Sequence, residues 1–137
     1  MNDQCIFCKI ANGLIPTNTV YEDSNFRVIL DSNPATRGHA LILPKNHYSN
    51  LLELPEETAA EAMQLAKKVA ARQMESLKAD GLNLVQNNGA AAGQTVDHFH
   101  IHLIPRYQDD GQKIAWNPGS RTAEELKEIC DELAFES

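Results

Sequence analysis

Cysteine is scarce in this chain, three residues in 137. A disulfide-stapled secreted scaffold needs more. Positive charge is also short, with 12 Lys and Arg against 19 Asp and Glu, a formal net charge of −7. A duplex nucleic-acid binder needs a basic face, so that class is excluded as an expectation. No apolar run approaches the ~20 residues of a membrane-spanning helix. The opening residues Asn2-Asp3-Gln4 are polar and acidic, unlike the basic and then apolar start of a secretory signal. These absences point to a cytoplasmic protein whose cysteines are thiols or metal ligands. Long stretches of Gly, Pro or Ser are missing too, as are internal repeats. The expectation is therefore one domain over residues 1–137, long enough to bury a core.

What the chain does have is histidine in a pattern. Three of its five histidines, His98, His100 and His102, fall on every second residue, separated by Phe99 and Ile101 and followed by Leu103 and Ile104. Strict alternation is the period of a strand. Side chains two apart share a face roughly 6–7 Å from each other. The three rings thus form a row, with Phe99, Ile101 and Leu103 facing the other way. Pro105 is expected to close the strand, since proline cannot donate to a ladder. Such a row has three readings: packed side chains, a metal site, or a histidine nucleophile held between partners. Three rings in register disfavour the first.

A second cluster is Cys5-Ile6-Phe7-Cys8. It reads as a redox pair, as half a zinc site, or as chance. A redox pair opens a helix after a strand, and nothing before Cys5 supplies one. Half a zinc site is preferred, because histidines elsewhere are free to complete it.

Elsewhere the chain carries ordinary helix, strand and turn signals. A short helical stretch ends near Asn12-Gly13. Thr19 to Glu22 and Phe26 to Leu30 are strands joined by the turn Asp23-Ser24-Asn25. His39 to Leu43 is a third strand ended by Pro44. A long helix starts at Pro55, with Glu56 and Glu57 at its positive end. Its apolar stripe is Ala59, Ala62, Met63, Ala66, Val69, Ala70 and Leu77, and Gly81 is its stop. Leu82 to Gln86 is a fourth strand. The small-residue loop Asn87 to Gly93 then lets backbone N–H groups approach a ligand. A capping box at Thr122 and Glu125 starts a final helix. Leu126, Ile129, Cys130 and Leu133 lie along one face of it, so Cys130 is expected to face a core. This order gives an α+β class: a mainly antiparallel sheet of about five strands carrying a long helix.

The segment His98-Phe99-His100-Ile101-His102-Leu103-Ile104 resembles the signature of the histidine triad family. Gly93-Gln94-Thr95-Val96, Arg37 to Lys45 and Cys5 to Ile10 also fit that family, in its order. The likeness is to its Hint-like, zinc-bearing branch. The resemblance implies the family's fold, paired as a homodimer through the long helix and an edge strand. It implies that His100 is the nucleophile, attacking the α-phosphorus of a purine nucleotide conjugate of AMP or GMP, and that water hydrolyses the nucleotidyl-histidine. By the same resemblance, a backbone carbonyl near His98 ties the second ring nitrogen of His100. His102 would contact phosphate, and His39 would support the triad. Asn87, Gly93, Gln94 and Thr95 match residues that surround phosphate and leaving group. Asp31 matches the acceptor from the ribose, and Ile6, Phe7, Ile10 and Ile29 match the base pocket. Cys5, Cys8, His47 and His98 match the ligands of a structural zinc that takes no part in the reaction. The activity implied is hydrolysis of purine nucleoside phosphoramidates. The alternatives are hydrolysis of dinucleoside polyphosphates, a zinc hydrolase with metal on all three triad histidines, or a nucleotide-binding regulatory module.

Overall fold

The computed structural model describes residues 2–137. Five antiparallel strands form one sheet in the order β1-β2-β3-β5-β4: β1 Thr19–Glu22, β2 Phe26–Leu30, β3 Ala40–Pro44, β4 Gly81–Val85 and β5 Ile101–Arg106. Helix α1 is Ile6–Ala11, α2 is Glu56–Leu77 and α3 is Ala123–Leu133. None of these helices is long and apolar enough to cross a membrane.

Strand alternation divides the sheet into two faces. Val28, Ala40, Ile42, Ile101 and Leu103 pack under α2 against Ala62, Leu65, Ala66 and Val69. Ile29, Leu41 and Leu43 point the other way and pack against Ala11, Phe7 and Ile10 of α1. Strand β3 is buried along its whole length. His102 lies opposite Leu41 and so belongs to the α1 face. The sheet therefore separates the structural core under α2 from the titratable side chains beside α1.

Several boundaries differ from the sequence expectation, each for a local reason. Pro44 is the last residue of β3, as expected, and pairs with Phe26, whereas Pro105, expected to end its strand, lies inside β5 and pairs with Leu82. The carbonyl of Pro105 accepts from the Thr36 hydroxyl, on the side away from β4. Its missing N–H therefore costs the β4–β5 ladder nothing. The third strand starts at Ala40, because His39 N–H turns back to the Thr36 carbonyl. The histidine strand starts only at Ile101. His98 and Phe99 lie before it, where Phe99 N–H donates to the Tyr48 carbonyl at 2.6 Å. Phe99 still reaches the core under α2.

Pro55 is the N-cap of α2 rather than its first residue, and Lys78 in the left-handed conformation ends it (φ 53°). Gly81 instead opens β4. On α2, Leu65 and Gln73 are buried, while Met63 points outward. The buried stripe is thus rotated from the expected one. The Gln73 amide donates to the Gly38 carbonyl at 2.8 Å and the Leu103 carbonyl at 3.1 Å, tying α2 to β5. The loop after β4 contains one short 3-10 turn, Ala90–Ala92, between Gly89 and Gly93, both at positive φ. The capping box of α3 is present. Its apolar residues Leu126, Ile129 and Leu133 are exposed, however, and Cys130 is exposed rather than in a core.

Candidate active site and metal centre

The residues of the two sequence clusters meet at one end of the α1 face. Cys5 caps α1, and its sulfur accepts from the Cys8 N–H at 3.3 Å. The Cys8 sulfur accepts from Asn2 N–H at 3.4 Å. The His98 ring sits between the two sulfurs, with Nδ1 at 3.4 Å from each, and His47 Nδ1 is 3.3 Å from Cys8. A tetrahedral zinc with ordinary bond lengths separates sulfur from nitrogen by about 3.5 Å. The four donor atoms fit that ion. His98 Nε2 donates to the Pro44 carbonyl at 2.8 Å, which leaves the Nδ1 lone pair facing the sulfurs. Burial lowers the His98 pKa to about 4, so the ring is neutral, as a ligand must be. Burial pushes the Cys8 thiol up. A cation between the sulfurs would offset that penalty, and the two N–H donors already suit thiolates.

The backbone of His98 serves the next histidine. Its carbonyl accepts from His100 Nδ1 at 2.7 Å. The proton of neutral His100 is thereby held on Nδ1, and the lone pair is on Nε2. Phe7 packs edge-on against this ring, with centroids 5.0 Å apart. His102 stands 5.0 Å from it on the other side.

A second hydrogen-bond chain fixes His102. The Ala35 N–H donates to His39 Nδ1 at 3.0 Å, so His39 carries its proton on Nε2. That nitrogen is 2.9 Å from His102 Nδ1 and 3.6 Å from an Asp31 carboxylate oxygen. Accepting at Nδ1 leaves the His102 proton on Nε2, as an N–H donor. Burial first, then the neighbouring His100 and His39, lowers the His102 pKa to about 4. Burial also lowers that of His39, against the pull of Asp31. The three ligand atoms of Asp31, His39 and His102 lie close together as well, and this hydrogen-bonded chain accounts for their approach.

Asp31, His100 and His102 border a cavity of about 600 Å³. Phe7, Ile10, Ile29 and Leu41 give it an apolar wall. Asp31, Asn87, Gly93, Thr95, His100 and His102 give it a polar end. Ile15, Pro16, Thr17 and Leu41 also line it and were not singled out from the sequence. Ile15 to Thr17 belong to a turn without periodicity, and Leu41 reads only as a strand residue. Of the candidates, His39 stands behind His102, off the wall, and two expected substrate contacts are not on it either. Ile6 is half exposed and points elsewhere. The Gln94 side chain is consumed internally: its oxygen accepts from Gly89 N–H at 2.8 Å and its nitrogen donates to the Ser49 and Val96 carbonyls. Gln94 thus braces the 87–93 loop that carries Asn87 and Gly93.

The HIT-domain family model matches residues 12–109. This chain belongs to the HIT family. It is 37% identical over 131 residues to the adenosine 5'-monophosphoramidase of Schizosaccharomyces pombe, covering 95% of this chain and 96% of that one. A HIT-family crystal structure from Bacillus subtilis superposes with a TM-score of 0.90 at 37% identity, covering 98% of this chain and all of the other. A zinc-bound histidine triad protein from Mycobacterium smegmatis gives a TM-score of 0.76 at 42% identity over 84% of each chain. The five-strand antiparallel sheet with its helices is the HIT fold.

The depressed histidines generate a pH prediction. In an unfolded chain His39 and His102 protonate near pH 6.5; in the fold His102 resists protonation until about 4. The stability they support is complete above about 6.5 and is lost as pH falls through about 4. The melting temperature should drop across that window. The drop should be shallower in His102→Asn, measured by scanning calorimetry at stepped pH. An unchanged slope in the variant would mean that His102 is not the titrating group.

Proposed function

We propose that this chain is a nucleotide hydrolase that cleaves purine nucleoside phosphoramidates through a nucleotidyl intermediate on His100. The observation that carries this reading is the hydrogen bond from His100 Nδ1 to the His98 carbonyl. It leaves Nε2 as a free, oriented lone pair beside a cavity of nucleotide dimensions. The likeness to a fungal adenosine 5'-monophosphoramidase supports the choice of substrate.

Each step uses a group already in place. Phe7, Ile10, Ile29 and Leu41 receive the base by apolar burial. Asp31 accepts from the ribose hydroxyls. His100 Nε2 attacks the α-phosphorus, forming a P–N bond to the ring while the bond from phosphorus to the leaving amine breaks. The amine departs with a proton taken from solvent, and the water that attacks in the second step returns one. The His102 N–H and the Asn87 and Thr95 side chains donate to phosphate oxygens, stabilising charge that spreads in the transition state. Water then attacks phosphorus, releases the nucleoside monophosphate and restores neutral His100. One difficult displacement becomes two easier ones. His39 keeps the His102 proton where phosphate needs it.

We assign to Cys5, Cys8, His47 and His98 one structural zinc per chain. A bound zinc would supply a cross-link between α1, the segment after β3 and the loop entering β5. These are far apart in sequence, so its effect is mainly on stability. We also assign a homodimer. Strand β4 is a sheet edge, and the exposed Met63 and Leu84, with the half-buried Ala70, form an apolar patch beside it.

His100→Ala should lower turnover of adenosine phosphoramidate by roughly 10⁴-fold or more. AMP binding should stay within roughly tenfold. Wild-type turnover in the folded variant would end the covalent reading. In the wild type, kcat/KM should be higher for adenosine phosphoramidate than for a dinucleoside tetraphosphate. The reverse order would move the assignment to dinucleoside polyphosphate hydrolysis. Protein prepared without chelators or a histidine tag should contain about one zinc per chain. The double variant Cys5→Ser, Cys8→Ser should lose the zinc and melt several degrees lower, with a smaller activity loss than His100→Ala. Zinc-free wild-type protein, or activity strictly proportional to zinc in correctly folded samples, would refute the structural role.

A further inference from the structure

One carboxylate organises the turn that follows β5. Each oxygen of Asp110 accepts one guanidinium N–H of Arg106 and one backbone N–H. Oδ2 takes Nε at 2.8 Å and the Tyr107 N–H at 3.0 Å; Oδ1 takes Nη2 at 2.9 Å and the Gln112 N–H at 2.9 Å. The Asp110 side chain is only 11% exposed. The Arg106 guanidinium first, then the Gln112 and Tyr107 N–H groups, hold its carboxyl well below the usual carboxylate range. Only an ionised carboxylate offers acceptor sites for four donors at once.

The turn fixed in this way grips the loop between β2 and β3 at three successive residues. Gln112 Nε2 donates to the Ala35 carbonyl at 2.9 Å, and the Tyr107 hydroxyl donates to the Arg37 carbonyl at 2.8 Å. Between them, the Thr36 hydroxyl donates to the Pro105 carbonyl. Residues 31–39 have no helix or strand of their own, so their shape depends on such contacts. Two of the gripped residues position His39. The Thr36 carbonyl accepts its backbone N–H at 3.2 Å, and the Ala35 N–H donates to its Nδ1 at 3.0 Å.

The Ala35 N–H decides two tautomers. While it faces His39 Nδ1, a proton on that nitrogen would set donor against donor. His39 therefore donates from Nε2, and His102 accepts at Nδ1 and presents Nε2–H. The Asp31 carboxylate also favours a proton on His39 Nε2, but at 3.6 Å it lies beyond hydrogen-bond length. With the Ala35 N–H displaced, both neutral rings can move their protons to Nδ1 through solvent. His102 Nε2 would then face the cavity as a lone pair.

We infer that Asp110 is a positioning residue for His102, acting through Tyr107 and Gln112 on the loop that carries the Ala35 N–H. Asp110 and Gln112 lie just beyond residues 12–109, which the HIT-domain model matches, so the family assignment does not supply this clasp. Its effect on turnover rests on the reading of His102 as a donor to phosphate; its effect on the rings does not.

The test is long-range proton–nitrogen NMR of full-length protein with isotope-labelled histidine, at about pH 8, where histidine is neutral. Wild-type His39 and His102 are expected as Nε2–H tautomers and His100 as the Nδ1–H tautomer. Asp110→Ala should convert much of His39 and His102 to the Nδ1–H form and leave His100 unchanged. It should lower kcat for adenosine phosphoramidate by a larger factor than it raises KM. Gln112→Glu keeps the size of an exposed side chain and removes its donor. It should move the same two rings in the same direction, and it serves where Asp110→Ala does not fold. Unchanged His39 and His102 signals in the folded variants overturn the inference whatever happens to activity, leaving Asp110 a role in stability alone. A change of tautomer with undiminished kcat upholds the clasp and counts instead against the phosphate role given to His102.

Discussion

The fixed position of His98 is the constraint on which the rest of the site depends. Its Nε2 is tied to the Pro44 carbonyl, its Nδ1 faces two cysteine sulfurs, and its carbonyl receives the His100 Nδ1 proton. Three segments far apart in sequence thus meet on one residue. The side chain belongs to the candidate metal centre and the backbone to the candidate reaction centre. Loosening the first would let the carbonyl drift. His100 would then lose the bond that decides which of its nitrogens holds the lone pair. A metal held by this side chain would therefore act on the candidate reaction centre through the backbone.

The same economy governs the other two histidines. A backbone N–H from Ala35 fixes His39, and His39 fixes His102. Two short chains of hydrogen bonds therefore give adjacent rings opposite capacities: lone pair outward on His100, N–H outward on His102. Burial keeps His102 neutral until about pH 4, so its donor comes without a formal charge. That suits a chain of net charge −7, where an anionic ligand must be held by local donors instead of the overall field.

Most of this was legible in the sequence where a periodic pattern met a chemical one. Alternation from Phe99 to Leu103 named the core-facing residues correctly, and Cys5 and Cys8, read as half a metal site, do converge with His47 and His98, which the family resemblance supplied. The misses come where tertiary contacts override local rules. Pro105 sits inside β5 because its carbonyl turns to Thr36, which no local pattern reveals. Gln94 has the chemistry of a ligand contact, but three loop partners consume it. Ile6 has the right polarity, yet at the first position of α1 its side chain stays half exposed and off the cavity wall. Cys130 does lie on an apolar face; periodicity identifies such a face without saying whether the chain's own body covers it.

The covalent mechanism stands or falls on whether His100 Nε2 forms the bond to phosphorus. Rapid quenching of wild-type enzyme with adenosine phosphoramidate into base, which preserves a phosphorus–imidazole bond, followed by peptide mass spectrometry, tests it most directly. An adenylyl group is expected on His100 within the first turnover, with none on His98 or His102. Full turnover with no adduct, or an adduct on His102, would contradict it.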